Sequence, residues 1–563
     1  MEIRIELDNW QYNAGIVGLY NILKNAEKDK MLESKIKLEN NALIFDSEEL
    51  DGFEEKYFNY LIGLYQVTLS WNKIIKYKPR VDILLKQLKT AECELDEKKV
   101  LDEINDYITN IVKKYATSNS FIAAYDFING EIDPLQEAKN LKTVKLKKKE
   151  KISDKKAEII ETLETLKKII IFFEKEESRK FIGAKNIIYT IIKNGWDGVC
   201  FLNPQTKEKN VYVDYKNYFV RPALEYLESD KKKYKYNCFI CAREIKDLKN
   251  DFSFLVNTGF DVARKSSHIW EHNNDVGMCD LCKLVNSCVP AGFTYLYGNG
   301  LFVNANININ ELIRINTQLK HELYDKAEQI SGIYKTLARE LRGNLKYELE
   351  DIQLVRFENG KYYFNILSKN MLRVIVKNEK DFEILEKESF RENGERYILL
   401  DEVMKRILNN ENLFTLIHRA IYSKISIKDK NYIHSKGITA MLKINFSMLK
   451  GAGYMENNDI MIVTRGRAAG KNMRDRYRIK KAEHKLSGIC YRILNGLKTG
   501  NQAMTMDTIL NCYLYCKESV PAIITEMLGT QENFKEIGYA FVAGLLAVDY
   551  DGNSKNENKE AGN

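Results

Sequence analysis

The sequence predicts an α+β fold, predominantly α-helical: an N-terminal mixed domain, an inserted zinc-knuckle region and a C-terminal helical bundle. Three observations predict it. Apolar residues recur every three to four positions over most of the 563-residue chain, the spacing of a single helix face. Strand-like alternation is confined to the opening segment and to one hairpin in the second half. Two C-x-x-C pairs fall in the stretch where helical periodicity fades.

In chain order, "EIRIEL" from Glu2 alternates polar and apolar residues as a half-buried strand does. "NWQYNAGIVGLYNIL" follows, with Trp10, Ile16, Leu19, Tyr20 and Leu23 at helical spacing; Gly15 and Gly18 offer a surface that another backbone can approach closely. Amphipathic helices are predicted from Glu54 to Ile75, from Asp96 to Tyr115 and from Ala157 to Phe181. With the lysine-rich loop between the last two, they make a domain over 1–195.

Residues 196–305 form the irregular, zinc-binding region. A connecting region over 306–430 starts with a long polar helix from Asn310 to about Glu348. It continues into "IQLVRFENGKYYFNIL", two strands joined at Asn359 and Gly360. Helices at Tyr432 to Leu449, Asn472 to Leu497, Met504 to Leu528 and Phe534 to Val548 make a bundle over 431–550. The polar tail 551–563 lacks periodicity and is expected to be disordered.

The chain is too long for one hydrophobic core, and its apolar fraction of 44% is ample to build several. The opening has no basic stretch leading into an apolar block, so no signal peptide is expected. The longest uncharged apolar run, "YAFVAGLLAV" from Tyr539, is about half of what a bilayer span requires. A cytoplasmic location without membrane contact is therefore expected. Cytosolic thiols stay reduced, which leaves metal binding or burial as the use of the ten cysteines.

Cys238 and Cys241 form one C-x-x-C and Cys279 and Cys282 the other. Each pair can clasp one edge of a tetrahedral ion, and the two together fill the coordination of structural zinc with no position left for water. The 37 residues between the pairs exceed the usual finger loop, so an insertion must return to the metal. A thioredoxin-like redox pair and buried, inert thiols are the competing readings. Cys288, His268 and His272 lie near enough to replace one ligand. Cys93, Cys200, Cys490, Cys512 and Cys516 read as packing.

The net charge of +8 is unevenly placed. Lys142 to Lys156 holds eight lysines against Glu150 and Asp154, and Thr464 to Lys485 holds nine Lys and Arg against Asp475 and Glu483. A helix from Asn472 to Lys485 would put Arg474, Arg478 and Lys481 on one face. Arg476 and Lys480 would lie beside them and Lys471 at the near end, with Arg465 and Arg467 in a glycine-containing loop before it. Such an arc suits the continuous charge of a phosphate backbone; a solvated helix face is the other reading. Tyr477 reads either as a base-stacking residue or as bundle core.

Catalytic motifs are missing. No His-Asp dipeptide or H-E-x-x-H sequence occurs. "GRAAGKN" from Gly466 has one residue too few between its glycines, and Asn472 stands where a phosphate loop needs Ser or Thr. The sequence reads as that of a protein that binds without catalysing.

Taken in order, "DNWQYNAGIVGLYNIL", the paired C-x-x-C with "CDLCKLVNSCVPAGFTYLY" running into "GLFVNANININELIRIN", and the helical end closing on "GYAFVAGLLA" resemble the large subunit of the type I-B CRISPR Cascade. The resemblance implies a non-catalytic subunit at one end of an RNA-guided surveillance complex. Such a subunit inspects duplex DNA for the protospacer-adjacent motif, aids unwinding, stabilises the R-loop and docks the helicase-nuclease. Implied partners are double- and single-stranded target DNA, the guide RNA, the Cascade backbone subunits and copies of a small subunit.

The C-terminal bundle would be small-subunit-like, with Met441, Met448 or Met455 as internal start or as core. Cys238, Cys241, Cys279 and Cys282 carry over as zinc ligands. Lys145, Lys147, Lys148 and Lys149 are candidates for duplex contact, with a surface loop as the alternative. The rival from another class is a nucleic-acid-processing enzyme, such as a nuclease, with a structural zinc.

Overall fold

The computed structural model describes residues 1–27, 35–90, 97–146, 155–258, 276–296, 298–305, 308–324, 337, 352–426, 433–455 and 458–547. The tail 551–563 and the helix expected beyond residue 324 lie outside these, except for residue 337. The fold is α+β and mostly helical, with four small sheets among the described residues. Two units divide it: Met1–Ile330 with Leu354–Phe364, and Ser331–Gln353 with Asn365–Asn563.

In the first unit, β1 (Glu2–Glu6) buries Ile3 and Ile5 on one face. It leads into α1 (Trp10–Glu27), whose start is capped by Asn9: its Oδ1 accepts from the backbone nitrogens of Gln11 and Tyr12 at 3.0 and 3.1 Å. From Gln11 to Leu23 nearly every residue of α1 is buried, which makes it a central core helix rather than a surface one. β2 (Lys37–Glu39) and β3 (Ala42–Asp46) complete an antiparallel sheet of order β1-β3-β2, with Ile3 opposite Phe45 and Ile5 opposite Leu43.

The single helix expected from Glu54 to Ile75 is broken. α2 (Phe53–Tyr65) is followed by a 3-10 turn, extended Leu69 and a short helix, Ser70–Ile75. The break separates two cores: Leu69 packs in the one around α1, while Trp71 enters a second, all-helical one, where its Nε1 donates to Phe173 O at 2.7 Å. The helix expected from Ala157 to Phe181 also bends. It comprises α3 (Lys156–Glu174) and α4 (Glu176–Thr190), with Lys175 extended between them and the Ser178 hydroxyl donating to Phe172 O across the corner.

Two short strands, β4 (Tyr236–Asn237) and β5 (Glu244–Ile245), form a hairpin. α5 (Asp280–Ser287) and α6 (Val289–Gly292) then lead into β6 (Thr294–Leu296), β7 (Asn299–Asn304) and α7 (Ile309–Tyr324). β8 (Ile352–Glu358) and β9 (Lys361–Leu367) join this sheet in the order β6-β7-β8-β9. Their turn falls at Asn359 and Gly360, both with positive φ, as the Asn-Gly signal predicts.

The second unit contains a second Asn-Gly hairpin, β10 (Ser389–Glu392) and β11 (Glu395–Ile398), turning at Asn393 and Gly394. Helices follow: α8 (Ser435–Gly451), α9 (Met461–Ile479), α10 (Leu486–Thr499), α11 (Gln502–Cys516) and α12 (Gln531–Leu545). The helix expected from Asn472 to Leu497 is thus two. Lys481 adopts φ +53, and the nitrogens of Lys481 and Ala482 bond back to Arg478 O and Tyr477 O at 2.9 and 2.8 Å, a helix-terminating motif. Among the described residues no helix is long and apolar enough to cross a membrane.

Candidate metal centre

Cys238 and Cys241 sit at the tip of the β4–β5 hairpin. The chain reverses there because Cys238 N donates to Arg243 O at 2.8 Å, and Ala242, at φ +56, donates to Cys238 O at 2.9 Å. The second pair is built differently. Cys279 is the N-cap of α5, its Sγ accepting from Cys282 N at 3.3 Å, and Cys282 occupies the first turn. A hairpin tip and a helix start therefore converge, each supplying two sulfurs.

The four Sγ atoms lie within 4.8 Å of one another, and Cys241 and Cys279 are 3.7 Å apart. Tetrahedral ligation at a metal–sulfur distance of about 2.3 Å requires sulfurs about 3.8 Å apart, so the donor set fits one ion. Without a cation the four cannot ionise together. The hydrogen bond from Cys241, with others from Cys279 and Cys282, holds Cys238 well below the ordinary thiol range. Donation to Cys238 and burial push Cys282 well above it. A bound divalent ion removes this conflict by favouring all four thiolates.

Residues 231–294, which contain both pairs, match the family described as CRISPR-associated protein (Cas_CXXC_CXXC). The match indicates a CRISPR-associated protein. No curated protein and no solved structure matches the chain.

Several groups around the sulfurs carried no spacing signal in the sequence. Tyr12 Oη, from α1, lies 3.2 Å from Cys282 Sγ; against a thiolate it can only donate. Cys238 Sγ accepts from Cys279 N at 3.3 Å. Burial alone would lower the pKa of Arg243, yet the neighbouring Cys241, Cys279 and Cys282 charges raise it, so this guanidinium offsets part of the negative centre. At the far end of α5, Ser287 O accepts from Tyr57 Oη and Trp196 Nε1, both at 3.0 Å, which satisfies a carbonyl the helix leaves unpaired.

Cys288 does not join the cluster; it is buried, its thiol directed to Leu284 O at 3.4 Å. Cys200, Cys490, Cys512 and Cys516 are buried as well. His268, His272 and Cys93 lie outside the described residues, as do Lys147, Lys148 and Lys149. Lys145 is exposed on irregular backbone.

The C-terminal cations are placed otherwise than the sequence predicts. Arg465 and Arg467 lie within α9, not in a loop. The reason is Gly466 and Gly470: a Cβ at Gly470 would stand 2.0 Å from Phe541 O, and one at Gly544 would stand 2.1 Å from Arg467 O. The glycines of "GRAAGKN" thus bring α9 and α12 into backbone contact.

Arg474 does not share an exposed face with Arg478 and Lys481: it is 7% exposed and bonded to Asp475 at 3.0 Å, while Lys481 lies beyond the end of the helix. Arg465 forms a fork with Glu526 at 2.9 and 3.1 Å, Arg476 pairs with Glu518 at 2.9 Å, and Arg467 donates to Ser435 Oγ at 3.3 Å. Lys471, Arg478, Lys480 and Lys481 are exposed. Tyr477 is buried beside Tyr515, over whose ring Lys480 and Lys485 lie at 5.3 and 4.8 Å. Met441 and Met455 are buried.

Proposed function

We propose that the chain is the non-catalytic large subunit of a type I-B CRISPR interference complex of the Cascade kind. Its role there is to bind target DNA, recognise the protospacer-adjacent motif, aid unwinding, stabilise the R-loop and dock the helicase-nuclease. The observation that carries this reading is the four-cysteine cluster lying inside the segment that matches a CRISPR-associated family.

Cys238, Cys241, Cys279 and Cys282 would hold a structural zinc. Its chemistry there is to neutralise and cross-link thiolates; four sulfurs leave no position for an activated water. Tyr12 and the Cys279 and Cys282 amides orient the sulfurs, and Arg243 offsets their charge. Such a tie holds a hairpin of two-residue strands against a two-turn helix, elements too small to dock by apolar burial alone. Guide pairing supplies sequence discrimination in an RNA-guided complex, so the protein needs backbone-binding cations and a rigid duplex reader. The exposed Lys471, Arg478, Lys480 and Lys481 suit the first need.

The test is purification of the chain from cells that express its neighbouring genes. Guide RNA and repeated backbone subunits should co-purify, and elemental analysis should find zinc. Magnesium- or manganese-dependent cleavage of DNA or RNA by the isolated chain, abolished by a point substitution, would make it a nucleic-acid-processing enzyme instead.

A further inference from the structure

A cavity of about 1000 Å³ opens in the first unit away from the cysteines, bounded by α1, α2, α4 and α7. Its walls follow from helix periodicity. Arg314, Thr317, Lys320 and His321 recur at three- and four-residue spacing on α7 and so share one face. Tyr20, Asn21 and Lys24 do the same on α1, and Tyr60 and Gly63 on α2. Its volume lies at the upper end of the range for small-molecule sites.

The charge of this cavity is one-sided. Lys24, Arg179, Arg314, Lys320 and His321 line it, and among the described residues no aspartate or glutamate does. Arg179 has no carboxylate within ion-pair distance among the described residues, whereas Lys24 pairs with Glu27 and Arg314 with Glu311, at 2.9 and 3.0 Å.

Two polar groups are held out of water. Lys320 is 3% exposed and donates to Ala291 O, which employs one of its three protons. Burial brings its pKa down to about 7, a cost that a bound anion would relieve. Asn21 is 7% exposed; its Oδ1 accepts from Thr317 Oγ1 at 3.4 Å, while its Nδ2 is buried without a hydrogen-bond partner among the described residues. An orphaned amide of this kind is unfavourable unless something supplies an acceptor. Tyr20 and Tyr60 add aromatic surface to the same walls.

We propose that this cavity binds a nucleoside phosphate, with Arg179, Lys24 and Arg314 taking the phosphate and Asn21, Tyr20 and Tyr60 receiving the base. Five basic side chains on walls that carry no carboxylate among the described residues select an anion. The amide donor and the aromatic walls select a flat heterocycle with acceptor edges over a simple inorganic ion. The nucleotide can come free from solution or as the phosphorylated end of a strand. The proposal stands independently of the complex proposed above.

Isothermal titration of the full chain with adenosine 5′-monophosphate, uridine 5′-monophosphate, adenosine and inorganic phosphate tests it. At least one monophosphate should bind about tenfold tighter than adenosine or phosphate, the equivalent of one good charge-assisted contact. Arg179→Ala should weaken that binding about tenfold, while Arg221→Ala, outside the cavity, should leave it unchanged. Displacement of the monophosphate by a short 5′-phosphorylated RNA assigns the site to a strand end, and absence of displacement assigns it to the free nucleotide. Silence with every probe, equal affinity for phosphate and monophosphates, or an unchanged affinity in Arg179→Ala overturns the proposal.

Discussion

Gly18 faces the Cys288 carbonyl so closely that a Cβ on it would stand 2.0 Å from that oxygen. The approach is mutual along the crossing: a Cβ at Gly292 would stand 1.9 Å from Ala14 O, and one at Gly15 would stand 2.5 Å from Val285 O. Backbone therefore meets backbone between α1 and the α5–α6 segment, and that distance sets how Tyr12 reaches Cys282.

Gly18→Ala should force α1 away from α6, since the nearest facing atoms, Cys288 O, Cys288 C and Gly292 N, are all backbone. Overpacking of this kind costs about 1–3 kcal/mol. Denaturant melts of the variant and the parent measure it; equal midpoints would refute the close-approach account.

Tyr12→Phe keeps the packed ring and removes the hydroxyl 3.2 Å from Cys282 Sγ. Supporting hydrogen bonds of this type are worth roughly 10- to 100-fold in metal affinity. Competition against a chromogenic zinc chelator should show a loss in that range, with the melt of the metal-free protein little changed.

Metal retention should weaken as pH falls, because each ligand must surrender a proton to bind and acid returns it. Cys279→Ser should abolish retention at every pH and expose the amides of the β4–β5 hairpin to hydrogen exchange. Full protection of that hairpin in the metal-free protein would count against a cross-linking role.

Glu536, buried in the second unit, accepts from Asn445 Nδ2 at 2.8 Å, and burial pushes its pKa up from 4.5 to about 8. The folded state holds a proton that the unfolded chain releases, so this contribution to stability is complete below pH 4.5 and is lost as pH rises through 8. Between about pH 5 and pH 9 the unit should lose on the order of 3–5 kcal/mol from this group. Glu536→Gln should flatten that slope in pH-dependent melts; an unaltered slope would place the titration elsewhere.

The C-terminal cations should separate by burial. Arg474→Ala removes a guanidinium that is 7% exposed and should lower the melting midpoint. Lys480→Ala with Lys481→Ala should leave the midpoint alone and reduce the salt slope of single-stranded DNA affinity by up to about 1.4, at roughly 0.7 per phosphate contact. An unchanged slope in the double variant would remove this stretch from the DNA-binding surface.

Local structure is legible in the sequence wherever one short segment carries the whole cause. The Asn359–Gly360 turn requires two positive φ values, and those two residues tolerate them. Gly15 and Gly18 offered a close-approach surface in the sequence, and a backbone occupies it. The same Asn-Gly signal at Asn393 and Gly394 was open to the same reading and marks a second hairpin. Helix ends depend on contacts from elsewhere in the chain. Periodicity runs unbroken past Leu69, yet the chain turns there because Leu69 and Trp71 belong to different cores; at Lys175 the polar run from Glu174 to Lys180 forms a corner closed by the Ser178 hydroxyl on Phe172 O.

By itself, the sequence determined the chemistry on offer: four thiols in two pairs, an excess of cations in two stretches, a predominantly helical chain with short strands. Only tertiary structure decided which of these groups act together. Residue type and spacing along a chain specify what an atom can bond to, but its partners, solvent exposure and counter-charges come from segments far away. So Tyr12, 270 positions from Cys282, joins the thiol cluster, while Arg474, in the midst of a basic run, is buried in the bundle.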